Sequence, residues 1–115
     1  MVVSMITQEA RMQRKKIWLL ARFRIGLIRQ GIDRADGINR LARIIGYRSR
    51  IHPAWPLRQI LVGRQPFPYD RLEKLADFLS YDMKEILSYE AASQHLANEQ
   101  NSTALRSNGF SMYVA

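Results

Sequence analysis

The chain has 115 residues, 47% of them apolar, and a formal net charge of +8 with no cysteine. This size fits one domain and the apolar share suffices for a core, which excludes wholesale disorder. The missing cysteine excludes disulfide scaffolds, thiolate metal sites and cysteine nucleophiles, and residues 1–64 (14 Lys+Arg, three acids, +11) differ sharply from residues 65–115 (four Lys+Arg, seven acids, −3).

Five helical segments are predicted, with no strand pair. The first spans roughly Thr7 to Gln30, where Ile17, Leu20, Ala21, Leu27 and Ile28 recur at helical spacing. Gly26 weakens its interior and Gly31 reads as its stop. The second follows Asp33 or Asp36, with Asp36 the preferred cap. Ile38, Leu41, Ala42 and Ile45 form its buried face, and Gly46 ends it. YRSRIHP is a loop, since Pro53 biases His52 away from helix. The third helix, about Ala54 to Val62, tolerates Pro56 only in its first turn. It buries Leu57 and Ile60 and closes at Gly63. The fourth runs from near Pro68 to Leu79, with Leu72, Leu75, Ala76 and Leu79 on one side. The fifth opens on Asp82 as cap, with Glu85 three residues on, before Ile86 and Leu87.

After Tyr89 the chain turns polar. Residues 91–100 are compatible with an extension of the fifth helix, and Asn101 to Asn108 reads as loop. Gly109 to Ala115 reads as a short strand or anchoring arm carrying Phe110, Met112, Tyr113 and Val114. The expected division is a domain over 1–89 and a tail over 90–115.

The order LARIIGY, then PLRQILVGRQPFP, then DRLEKLADFLSYDMKEIL resembles the phage repressor/Cro-like, or lambda repressor-like, helix-turn-helix family. Leu41-Ala42 with Gly46, then Leu57, Ile60, Gly63 and Arg64, then Pro66 or Pro68 with Leu72, Leu75, Ala76 and Leu79 carry the likeness. It covers residues 36–88, or 10–88 with the first helix. Two departures are visible. The turn between the second and third helices is about five residues longer than usual, IHPAW being the apparent insertion. Ile38 also stands where the family often has a phosphate-contacting polar residue. The resemblance implies an all-α, compact five-helix domain of lambda-repressor type with a C-terminal tail. It also implies a DNA-binding regulator whose third helix enters the major groove.

On that reading the base-contact candidates are Arg58, Gln59, Ala54 and Trp55. Arg58 pairs naturally with guanine and Gln59 with adenine. Packing on the long turn is the preferred use of Trp55. Phosphate candidates are Arg34, Asn39 and Arg40, the turn residues Arg48, Ser49 and Arg50, Arg64 and Gln65 beyond the third helix, and Arg14 and Lys15 in the opening part of the first. The expected function is a sequence-specific double-stranded-DNA-binding regulator, a homodimeric repressor, with Phe110, Met112, Tyr113 and Val114 as dimerisation candidates. The alternative is an antitoxin or phage accessory protein-interaction module on the same fold, whose binding would depend weakly on salt.

No phosphate-binding glycine loop, H-E-x-x-H or dinucleotide motif occurs, and His52 and His95 lie in different segments. No enzyme activity, cofactor, metal or small-molecule ligand is therefore expected. The longest apolar stretch, IWLLARFRIGLI, is interrupted by Arg22 and Arg24, and MVVSMITQEARM does not read as a signal peptide. The expected location is cytoplasmic, without membrane contact.

Overall fold

Residues 15–114, the part that the computed structural model describes, begin extended rather than helical. Lys16–Ile17 form strand β1, antiparallel to β2 (Phe67–Pro68), with Ile17 opposite Phe67. Just beyond, Leu19 bridges Glu90, and the Ala91 N–H donates to the Trp18 carbonyl at 2.6 Å. Two expectations are corrected here: there is a strand pair, and no helix covers residues 15–20. Ile17 and Leu19 are buried while Lys16 and Leu20 are exposed. This period-2 alternation competes with the helical match of Ile17 to Leu20 and Ala21, and pairing with two partners decides it. The part of the expected helix over 7–14 lies outside the described residues.

Helix α1 (Ala21–Ala35) is the axis of the molecule, packed against α2 (Ile38–Ile44), α3 (Trp55–Leu61), α4 (Tyr69–Leu79) and α7 (Asn101–Ser107). It does not stop at Gly31. A Cβ there would lie 2.8 Å from Leu41 and 3.1 Å from Leu75, so Gly31 is the position at which α2 and α4 approach the axis. The helix ends at Asp36, whose backbone is left-handed (φ 61°), while the Gly37 N–H donates to the Ile32 carbonyl at 3.0 Å. Asp36 thus terminates α1 rather than capping α2. Asp is one of the few residues tolerated in that conformation, and α2 starts after Gly37 with no side-chain cap.

The faces predicted for α2, α3 and α4 are the faces buried: Leu41, Ala42 and Ile45; Leu57 and Ile60, joined by Leu61; and Leu72, Leu75 and Ala76, with Leu79 half-buried. Asp82 caps α5 (Met83–Leu87) by accepting from the Lys84 N–H at 2.9 Å. Phe23 of α1 stacks on Tyr89 at 3.9 Å between centroids.

Beyond Tyr89 the chain does not prolong α5. Ser93 caps a separate single turn, α6 (Gln94–Ala97). Residues 101–107, expected as loop, are helix α7. NSTALRS has only Ala104 and Leu105 to bury, too few for a visible period, and α7 is held by packing on α1 rather than by propensity. The chain closes with a 3-10 turn, Ser111–Tyr113, instead of a strand. Phe110 is buried in the common core, with the Arg29 guanidinium 5.2 Å from its ring centroid. The described chain is therefore mostly helical with one small two-stranded ribbon. None of its described helices is long and apolar enough to cross a membrane.

Candidate nucleic-acid interface

Helix α3 has only seven residues, so its own propensity cannot hold it. Pro56 in the first turn presets the backbone, and Leu57, Ile60 and Leu61 anchor one face. A helix leaves its C-terminal carbonyls without intrahelical partners, and here those of Leu61 and of Val62 and Gly63 just past it are taken by side chains from elsewhere. Arg24 donates to the Leu61 carbonyl at 3.5 Å, Asn101 to Val62 at 2.9 Å, and Asn98 and Gln94 to Gly63 at 2.8 and 3.1 Å. Gly63 is left-handed (φ 86°), and a Cβ there would run into the Asn98 amide.

Arg24 is the one buried charged residue among those described, 2% exposed. Among the described residues no carboxylate pairs with it. It donates to the Leu19 carbonyl at 2.8 Å, to the Ala97 carbonyl at 3.3 Å and to Asn101 Oδ1. Burial pushes its pKa down to about 10, so it stays charged at neutral pH. Its positive charge sits at the negative ends of α3 and α6.

The opposite side of α3 carries Trp55, 56% exposed, with Arg58, Gln59 and Val62 partly buried. Trp55 is not buried on the turn. With Tyr47, Pro56, Pro66 and Lys16 it lines a groove of about 320 Å³. Ala54 is 1% exposed and belongs to the core, so it is withdrawn as a base contact. It precedes the first turn and, with the buried Pro53, pins the long turn to the body.

Arg48, Ser49, Arg50 and His52 of that turn are exposed, and Ser49 Oγ accepts from the His52 N–H at 3.1 Å. Arg64 and Gln65 are exposed just past α3, their N–H groups donating to the Gln59 carbonyl at 3.0 and 3.2 Å. Asn39 and Arg40 project from the start of α2. Arg40 lies 3.9 Å from the exposed Asp36, a contact too solvated to hold it. Two phosphate candidates have partners at the protein surface. Arg34 donates to the Phe78 carbonyl at 2.8 Å at the end of α4, and Lys15 pairs with Glu90 at 3.4 Å. Arg14 lies outside the described residues.

Sequence reasoning missed three cations. Arg43 is exposed in the last turn of α2. Arg71 and Lys74 of α4 lean over Gly46 at the start of the long turn, and the Arg71 guanidinium lies 4.9 Å from the Tyr47 ring centroid. Burial raises the Tyr47 pKa and the charge of Arg71 opposes that rise. Their i, i+3 spacing on one helix face was the available signal, hidden because both sit in the net-acidic half.

Elsewhere Arg29 and Asp33 form an i, i+4 ion pair, whose hydrogen bond holds the Asp33 carboxyl below its ordinary value. No group of three His, Asp or Glu residues among those described is placed to hold a metal. Comparison with family models, with curated proteins and with solved structures finds no match to the chain.

Proposed function

We propose that the chain is a sequence-specific double-stranded-DNA-binding regulator of transcription, a repressor of phage repressor/Cro-like helix-turn-helix type. In this reading α2 and α3 are the paired helices and α3 enters the major groove. The observation that carries it is the setting of α3. One face and the residues at its C-terminal edge, Leu61 to Gly63, are fastened to the body, while Trp55, Arg58 and Gln59 are left on the other side. Exposed arginines lie before it at 48 and 50 and after it at 64. A helix about 10 Å across fits a groove about 12 Å wide, and fixed flanking cations supply the phosphate contacts that position it.

Dimerisation is part of the proposal, because paired modules read half-sites one helical turn apart. Phe110 is committed to the core, and Tyr113 and Val114 are partly buried against it. Met112 stays 72% exposed, and a second surface suited to another copy is the groove of Leu20, Phe23, Tyr89 and Leu96. Arg22 and Glu99 flank it, and opposite charges on one patch suit a two-fold contact in which each meets the other's counterpart.

The test is selection of bound duplexes from a random pool at two salt concentrations. A palindromic consensus with binding that falls steeply with salt is expected. No enrichment, together with weak salt dependence, would replace this reading with a protein-interaction module.

A further inference from the structure

Gly46 ends α2, and its φ of 109° is one that only glycine adopts without strain. From the position a Cβ would take, the Arg71 Nη1 atom lies 2.6 Å away and the Lys74 Nζ atom 3.0 Å away. The two cationic ends are therefore within about 6 Å of each other, close enough to repel. Asp70, 3.3 Å from Arg71, offsets part of one charge. Among the described residues Lys74 has no carboxylate within 4 Å.

The Arg71 side chain is 27% exposed, and the Tyr47 ring supports its guanidinium. Its planar fork is thus held in place, and Lys74 beside it is an exposed point charge. A fixed fork next to a free ammonium suits an oxyanion with several equivalent oxygens. Arg48 and Arg50 follow directly on the exposed turn, so an extended polyanion passing here would meet further cations.

We propose that Arg71 and Lys74, brought together over Gly46, form a phosphodiester-binding site that grips the DNA backbone beside the turn leading into α3. This rests on the DNA-binding reading and adds to it a contact from α4, in the half of the chain with net negative charge. The contact positions the protein on the duplex and carries no base preference.

Two measurements on the full chain test it. In the first, inorganic pyrophosphate is titrated against the isotope-labelled protein, and the Gly46 and Tyr47 amide resonances are followed. They shift saturably in the parent and not in Arg71→Gln/Lys74→Gln. In the second, duplex affinity is measured across a salt series. Lys74→Gln lowers the slope by about 1, roughly a fourfold smaller loss of affinity between 50 and 200 mM salt, on selected and random duplexes alike. Lys74 is exposed, so this single variant keeps the test decisive if the double variant does not fold. Unchanged slopes in a parent that binds duplex, or amide shifts that persist in the double variant, overturn the site. A parent that ignores duplex yet shows Gly46 shifts that the double variant lacks keeps the oxyanion site and defeats the DNA reading.

Discussion

Arg24 and Asn101 meet behind the end of α3 and divide its carbonyls between them. The Arg24 guanidinium donates to Asn101 Oδ1, which turns the amide nitrogen of Asn101 toward the Val62 carbonyl at 2.9 Å. Arg24 itself reaches Leu61 at 3.5 Å. The charge is buried without a carboxylate because backbone and amide oxygens surround it, and these gain strength where water is absent. The polar segment after Tyr89 therefore helps to terminate the helix proposed to read DNA.

The first prediction concerns this pair. Asn101→Ala is expected to cost about 2 kcal/mol, since it orphans the Val62 carbonyl and removes an acceptor from a buried charge. Arg24→Met leaves several acceptors unpaired and is expected to cost about 3 kcal/mol. The two should fall short of additivity by more than 0.5 kcal/mol, as residues in one network do. Urea unfolding of both single variants and the double measures this, and strictly additive losses would mean that the residues act independently.

Two glycines on α1 provide a matched pair. Gly26 has open space around its missing Cβ, so Gly26→Ala is expected to stabilise by about 0.5–1 kcal/mol through helix propensity alone. Gly31→Ala brings the same gain, yet its methyl meets the buried Leu41 and Leu75 at 2.8–3.1 Å. Overpacking of that kind costs about 1–3 kcal/mol, so net destabilisation is expected. Thermal melts of the two variants should move in opposite directions.

Arg58 and Arg64 separate base reading from phosphate contact. Arg58→Ala is expected to cost about 1–3 kcal/mol on the selected duplex, with little change on random sequence. Arg64→Ala should weaken both equally and lower the salt slope. Equal losses on both duplexes for Arg58→Ala would remove that residue from the groove.

Leu96 tests the dimer surface. It is 42% exposed on a short turn, so a charge there is tolerated by the monomer. Leu96→Arg should leave the melting temperature nearly unchanged and give monomers by analytical ultracentrifugation. A dimer that persists would move the interface elsewhere. Truncation after Tyr89 is a poorer probe, because it removes Asn98, Asn101, Leu105 and Phe110 from the α3 clamp and the core.

The middle of the fold was legible because its signals are local. Leu41-Ala42 with Ile45, and Leu72 with Leu75 and Ala76, follow a helical period. Gly46 and Gly63 end their helices in left-handed conformations, and Asp82 caps its helix as its position before a helical run implies. Both ends were misread for one reason. Residues 16–17 become a strand because Phe67–Pro68 pair with them, and residues 101–107 become a helix because α1 receives Ala104 and Leu105.

The candidate interface divides in the same way. Arg58, Gln59, Arg48, Arg50 and Arg64 were visible as cations and amides around a short amphipathic helix. Burial removed Ala54, while Arg34 and Lys15 were drawn to partners far along the chain. Arg71 and Lys74 went unnoticed because charge summed along the sequence takes no account of which helix lies against Gly46.

By itself, then, the sequence determined the periods of the central helices, the stops at Gly46 and Gly63, the Asp82 cap and an excess of charge ending at Arg64, since each depends on neighbours within a few residues. Only the tertiary structure decided that a polar tail would fasten the end of α3, that Arg24 would be buried among carbonyl and amide oxygens, and that two cations from the acidic half would converge on Gly46. Each of these joins atoms some 25 or more positions apart, and local propensity carries no information about such pairs.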